Sequence, residues 1–254
     1  MLRDDTEKIW LHLQNHPLLS EFVLAGGTAL SMHLNHRVSE DLDFMYPGSS
    51  RLPRVQIELL KKECLDAGFE FRSNDSPAGI LEFEDTGMDY HDYQQDYIVN
   101  GTVKLTLVAP DLEVSKLIGP TIKTGPRVAT TEEVFRMKCM ACANRSKSRD
   151  WLDIFVMLKM DLFKPIEIFE SFKLAGVPSK FDIAMMRMSS GRLHVMDEGY
   201  DALMDNPPSI ENIHSYFVDM FKDLQSHVVQ LKARDSKIEM NPKKISKGSG
   251  MRSP

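Results

Sequence analysis

The chain is short of several things at once. It has 3 cysteines among 254 residues, Cys64, Cys139 and Cys142, too few to staple a secreted scaffold. No apolar run approaches the length of a membrane span, and Met1-Leu2-Arg3-Asp4-Asp5 does not lead into the apolar core of a signal peptide. The compartment these absences predict is the reducing cytoplasm. Basic charge is scarce too: 31 Lys+Arg stand against 37 Asp+Glu, a formal charge of −6. That excludes a globally basic nucleic-acid coat protein, though not a local basic patch. The 8 histidines show no H-E-x-x-H or similar ligand spacing, and there is no internal repeat. What remains is ordinary for a globular protein, with 42% hydrophobic and 27% charged residues. The length suits one or two domains with a real core.

The first half alternates between helical and strand-like patterns. Residues 4–16 carry Ile9, Trp10 and Leu13 at helical spacing, and 52–67 do the same with Ile57, Leu59, Leu60 and Leu65. Phe22–Ala25 reads as a buried strand closed by Gly26-Gly27, with Thr28 as the N-cap of a short helix. Leu42–Met45 reads as a second strand, and Phe69–Phe71, Ile80–Phe83 and Val103–Val108 as further ones. From about Leu112 the periodicity turns helical, with helices predicted at 132–144, 149–160, 165–174, 181–189, 196–204 and 209–232. The expected fold is therefore α/β (α+β): a mixed sheet with helices in residues 1–112, a mostly helical part in 113–233, and a basic, flexible tail in 234–254. That tail reads as a solvated end, or more sharply as a phosphate-contacting arm.

The chemistry concentrates between Gly26 and Asp43. Asp41 and Asp43 are two apart, so on a strand they share one face, about 7 Å apart along the chain. Such a pair can hold one or two Mg²⁺ or Mn²⁺ ions, which in turn hold a triphosphate and support in-line attack at phosphorus. Alone, an Asp-x-Asp pair is weak evidence, since solvated acidic pairs at strand edges are common. The Gly26-Gly27 turn into a helix adds a phosphate cradle, since glycine admits close anion approach and the helix start presents free N–H groups. Ser39, two before Asp41, falls on the acidic face.

The order Gly26-Gly27-Thr28-Ala29-Leu30, then His36-Arg37-Val38-Ser39-Glu40-Asp41-Leu42-Asp43-Phe44, resembles the first motif of the DNA polymerase β-like nucleotidyltransferases, and more narrowly the AbiEii/AbiGii toxins. That family follows this motif with a lysine helix and an R-D-x-x-D element. Lys138, Arg145 and Arg149-Asp150-Trp151-Leu152-Asp153 match it, so the resemblance spans roughly residues 20–158. It implies transfer of a nucleoside monophosphate from an NTP to an acceptor hydroxyl, a tRNA 3′ end or a protein, by a toxin with a cognate antitoxin. The catalytic set it implies is Asp41, Asp43, Lys138 and Asp153, with Asp41 and Asp43 on the metal. Gly26, Gly27, Thr28, Arg37, Ser39, Arg145, Arg149 and Asp150 would bind the nucleotide. The alternative is a weak or inactive nucleotide- or RNA-binding regulator on the same fold.

The second element also stands on physical grounds. Lys138 and Arg145 are seven apart and nearly superpose on a helix face, as do Asp150 and Asp153, three apart. Trp151, Ile154, Phe155 and Leu158 make the opposite, apolar stripe. Lys138 suits a phosphate as a point charge, and Arg145 or Arg149 as a fork. Asp153 could orient Lys138 or the acceptor, or serve as a base. A plain salt-bridged surface pair is the competing reading. One departure from the superfamily stands out. The strand Val103–Leu107 carries Lys104 and Thr106 where a third acid is common, which leaves Glu82, Glu84 or Asp96 as replacements. Cys139-Met140-Ala141-Cys142 falls mid-helix and reads as packed thiols, the 16 methionines as core filler, and Asp89–Asp96 as a surface loop.

Overall fold

The computed structural model describes residues 2–240, apart from the side chains of 226, 227 and 230–240. Helix α1 (Asp4–Leu13) leads through a 3₁₀ turn at Pro17–Leu19 to strand β1 (Val23–Leu24), helix α2 (Gly26–Leu34) and strand β2 (Leu42–Met45). Then come α3 (Arg54–Asp66), β3 (Phe71–Ser73), α4 (Pro77–Asp85), β4 (Gln94–Val99), β5 (Val103–Val108), α5 (Leu112–Ser115) and β6 (Arg127–Val128). The remainder is helical: α6 (Thr131–Asn144), α7 (Ser148–Lys159), α8 (Ile166–Ala175), α9 (Lys180–Ser190) and α10 (Ile210–Met240). The strands form one mixed sheet in the order β3-β4-β5-β2-β1-β6. This is the α/β fold that the alternating first half predicts.

Strand alternation sorts the chain into two cores. Leu24, Leu42, Phe44, Leu105 and Leu107 point to one side, where they pack with Ile9 and Leu13 of α1 and Ile57, Leu60 and Cys64 of α3. Val23 points to the other side, where Ala29 and Leu30 of α2 meet Phe135, Trp151, Ile154, Phe172 and Phe217 of the later helices. Asp43 lies between Leu42 and Phe44 and so faces this second side. The sheet does not end at residue 112, because β6 pairs in parallel with β1.

Five local expectations change. Helix α2 starts at Gly26 with Ala25 as its N-cap, so Thr28 is inside the first turn. Ile80–Phe83 is helical, because Ser76 caps α4 by accepting from the Gly79 N–H and Pro77 fits its first turn. Residues 94–96 belong to β4, so the segment 89–96 is not all surface loop; its polar opening Gln94-Gln95-Asp96 conceals a half-buried strand. Residues 196–204 hold only a 3₁₀ turn at Asp201–Leu203. There Asp197 caps α7, accepting from the Ser148 N–H at 2.9 Å and its hydroxyl at 2.6 Å. Finally, α10 continues through residue 240, so the basic segment from 234 begins as helix; residues 241–254, and with them the rest of the proposed arm, lie outside the described residues.

Candidate active site

Three strands line up the acidic face. Asp43 on β2 stands opposite Thr106 on β5, and Thr106 stands opposite Asp96 on β4. The β1–β2 connection is built around Asp43. The Ala25 N–H donates to the Asp43 carbonyl at 2.8 Å. Gly26 adopts φ +66°, and a Cβ there would come within 2.5 Å of Asp43 Oδ2. A Cβ on Gly27 would fall 2.2 Å from Arg37 Nη2. The two glycines therefore make room for a carboxylate and a guanidinium, a tighter demand than a general anion cradle. The Thr28 hydroxyl meets Ser39 Oγ at 2.7 Å and donates to the Asp41 carbonyl, so Thr28 and the buried Ser39 brace the backbone that carries Asp41. Asp41 opens onto a cavity of about 810 Å³ whose walls include Arg3, Glu40 and Lys104. A cavity of similar size, about 900 Å³, lies between α9 and α10, is lined mainly by apolar groups such as Phe181, Met185 and Phe221, and holds none of these acids.

The second carboxylate pair lies inside the protein. Asp153 has no exposed surface. It accepts from Arg37 Nε at 2.8 Å and Arg37 Nη2 at 3.1 Å. His36 Nε2 lies 2.9 Å from its Oδ1 and Lys138 Nζ 2.8 Å from its Oδ2. Asp150, also buried, accepts from Lys138 Nζ at 2.7 Å and Arg145 Nε at 2.8 Å. Lys138 thus bridges both acids, and α7 presents them to α6 and to the loop after α2 rather than to solvent. Arg145 is half-exposed and follows the end of α6 in an extended conformation. Arg149 turns away from Asp150 and toward the segment that carries Asp41: its Nε donates to the Gly199 carbonyl at 2.8 Å, its guanidinium reaches Glu198 at 3.3 Å and Glu40 at 3.5 Å, and its charge pulls the Asp41 carboxyl down.

Electrostatics separate the pairs. Burial and the neighbouring Asp43 push the Asp41 carboxyl up to about 6. Burial likewise raises Asp43, against the pull of Lys104 and Lys138. Among the described residues, no side chain hydrogen-bonds or ion-pairs with either carboxylate. Asp150 and Asp153 are more deeply buried, yet Lys138 with Arg145 and Arg37 holds both below the usual carboxylate range, Asp153 well below. Burial opposes the charges of Lys138 and Arg37 as well, and the acids more than restore them.

The sequence-predicted residues divide accordingly. The structure brings Gly26 against Asp43, and Lys138 near enough to stabilise its charge. Arg37, placed by the sequence with the nucleotide ligands, is a buried fork closed on Asp153. Asp150 and Asp153, read from the sequence as a nucleotide ligand and a catalytic carboxylate with a salt-bridged surface pair as the competing reading, are salt-bridged but buried, closed on Lys138, Arg145 and Arg37. Of the possible third acids, Asp96 is on the same sheet face, but Thr106 stands between it and Asp43. Its carboxylate already accepts from Thr106 Oγ1 at 2.7 Å, Gln94 Nε2 at 2.7 Å and the Tyr90 hydroxyl at 2.9 Å. Glu82 and Glu84 lie on α4. Lys104, read from the sequence only as standing with Thr106 where a third acid is common, sits near enough to Asp41 to pull its carboxyl down; its offset of two from Thr106 on β5 is the signal that places it on the acidic face.

The mixed sheet thus carries an Asp-x-Asp without a direct side-chain partner beside a Gly-Gly helix start. Residues 8–209 match the family model described as "Nucleotidyl transferase AbiEii toxin, Type IV TA system", and the chain belongs to that family. A solved structure assigned as a nucleotidyltransferase from H. pylori is similar at 18% identity, covering 89% of this chain and 96% of that one, with a TM-score of 0.49. MenT4, a nucleotidyltransferase toxin from Mycobacterium tuberculosis H37Rv, is similar at 15% identity over 80% of this chain and 75% of its own, with a TM-score of 0.46. No curated protein matches the chain. Among the described residues, no helix is long and apolar enough to cross a membrane.

Proposed function

We propose that the protein is a divalent-cation-dependent nucleotidyltransferase that moves an NMP from an NTP to an acceptor hydroxyl on a tRNA 3′ end or a protein, and acts as the toxin of a toxin–antitoxin pair. The observation that carries this reading is the unpaired state of Asp41 and Asp43. Two adjacent carboxylates without a cationic partner fit a hard cation with oxygen preference, and Mg²⁺ or Mn²⁺ is the ion they would hold. When bound, such an ion supplies charge neutralisation at the phosphates.

The rest falls to the chain's own groups. Lys104 lines the cavity beside Asp41 and is the cation there for the triphosphate, since Arg3 on the same wall is ion-paired with Glu40. Lys138 spends two of its three donors on Asp150 and Asp153, which leaves one for a phosphate oxygen. Arg37 and Asp153 position Lys138 and the loop leading to Asp41, and do not themselves touch substrate. The acceptor oxygen bonds to the α-phosphorus, the bond to the β-phosphate oxygen breaks, pyrophosphate leaves, and the hydroxyl proton passes to water.

Thr106, opposite Asp43 where a third acid would stand, favours the second reading of a nucleotide-binding regulator with little turnover. One experiment separates them: incubation with labelled NTPs, Mg²⁺ and a tRNA pool. Label in RNA or protein with wild type, and none with Asp41→Asn, supports the enzyme. Binding of NTP by calorimetry without any label transfer supports the regulator, and failure to bind NTP at all sinks both.

A further inference from the structure

A second set of donor atoms lies on the opposite side of the sheet from Asp43, behind Leu24 and Phe44. His12 closes α1, His16 follows it by four residues just before the 3₁₀ turn, and Cys64 sits near the end of α3. One nitrogen from each histidine and the Cys64 sulfur all lie within 4.8 Å of one another. His12 Nε2 and His16 Nδ1 are buried and have no hydrogen-bond partner. The His16 side chain is only 9% exposed, and Glu63 Oε2 stands 3.4 Å from its other nitrogen, Nε2. Cys64 is buried and free. The His12 ring stacks on Phe69, with centroids 4.4 Å apart.

Leaving a buried polar atom without a partner is costly, and two such atoms beside a free thiol need a common explanation. We propose that His12, His16 and Cys64 form a zinc site that ties α1 to α3 behind the sheet. The donor set selects the ion: two imidazoles and a thiolate suit Zn²⁺, whereas Mg²⁺ prefers the oxygens of Asp41 and Asp43. Three protein ligands leave a fourth, water-filled position. Bonds of about 2.0–2.3 Å in a tetrahedron put donors about 3.3–3.6 Å apart, so side-chain rotations of about an ångström close the site. Glu63 completes a carboxylate–histidine–metal arrangement: it keeps the proton on Nε2 and leaves the Nδ1 lone pair facing the ion. Phe69 fixes the other ring. The role is a brace. Helices α1 and α3 are the layer against which β2 packs, so the metal stiffens the support of Asp41 and Asp43 without sharing their chemistry.

The test uses the full chain, stripped with a chelator and titrated with Co²⁺ as a spectroscopic probe, then with Zn²⁺ in competition. One equivalent of Co²⁺ should give the strong visible bands of a tetrahedral ion and a near-ultraviolet thiolate band, and Zn²⁺ should erase both. Cys64→Ser should remove the thiolate band and weaken binding about 100-fold. His12→Gln, which leaves the buried thiol in place, should weaken binding and lose the tetrahedral bands, and it keeps the proposal open to refutation if Cys64→Ser does not fold. The Asp41→Asn/Asp43→Asn double variant should bind as wild type does. Absence of stoichiometric binding, a spectrum that survives Cys64→Ser, or one lost in the double variant would overturn the site.

Discussion

Two pairs of aspartates, each a short step apart in sequence, end in opposite states. Asp150 and Asp153 have almost no exposed surface, yet they stay charged because Lys138, Arg37, Arg145 and His36 surround them. Asp41 and Asp43 are less enclosed, yet their protons bind more tightly than usual, because burial outweighs the pull of Lys104, Arg149, Lys138 and Arg145, none of which pairs with them directly. Burial alone would have ranked the pairs the other way. What decides is whether the fold supplies counter-charge. A pair that the fold leaves uncompensated is waiting for charge from outside. A pair it saturates is structure, here the ionic tie between the loop after α2 and the helices α6 and α7.

The largest effect should come from the uncompensated pair, and on activity alone. Asp41→Asn or Asp43→Asn is expected to lower nucleotidyl transfer at least about 1,000-fold, equivalent to about 4 kcal/mol of transition-state stabilisation, while the thermal midpoint stays level or rises because a like-charge repulsion is gone. Turnover and differential scanning calorimetry on the same preparations check both halves. A folded variant with near-normal turnover would erase the distinction between the pairs.

Asp153→Asn should do the reverse. It leaves Arg37 and Lys138 buried with one acid fewer, at a cost of about 3–5 kcal/mol read from the urea midpoint. Activity should fall only as far as folding and the placement of Lys138 fall, because a saturated, fully buried carboxylate has no access to an acceptor hydroxyl. If the variant instead folds as firmly as wild type and is inactive, Asp153 is a base and the pairs are not different in kind.

Gly27→Ala probes the joint between the two regions. The added Cβ would sit 2.2 Å from an Arg37 nitrogen pinned on Asp153, so the guanidinium cannot swing clear as a surface arginine would. Overpacking of this kind costs about 1–3 kcal/mol. Denaturant unfolding of this variant beside Gly48→Ala, where the nearest atom is 3.6 Å away, should show a clear loss in the first and little in the second.

How much of this was legible beforehand follows the same division. Strict alternation in Leu42-Asp43-Phe44 announced both the strand and the acidic face, because a period of two is a strong signal where one side is core. The helices from 131 to 175 declared themselves by spacing. By contrast, β4 opens on Gln94-Gln95-Asp96, polar residues that are buried only because Tyr90, Thr106 and His91 satisfy them, and no local pattern shows that. The burial of Asp150 was hidden for the same reason, since Arg145 and Lys138 are recognisable as bases but not as its enclosure. His12, His16 and Cys64 meet across 48 residues of chain from His16 to Cys64, beyond any ligand-spacing rule.

The smallest expected effect is a slope with pH, and its sign distinguishes the pairs. The folded-state value of Asp41, about 6, lies above its ordinary 3.8. The folded protein therefore takes up the proton first, and the stability this contributes is complete below about pH 4 and lost as pH rises through 6. Without metal, the chain should gain about 1 kcal/mol between pH 7 and 5 relative to Asp41→Asn. Asp153 runs the other way: its stabilisation is present above the ordinary carboxylate value and is lost only in stronger acid, so it adds no slope in that window. Mg²⁺ at pH 7 should replace the proton, raising the wild-type urea midpoint more there than at pH 5 and leaving Asp41→Asn nearly unmoved. Equal effects of Mg²⁺ on both proteins would mean that the ion binds elsewhere, and that the missing counter-charge at Asp41 is not metal.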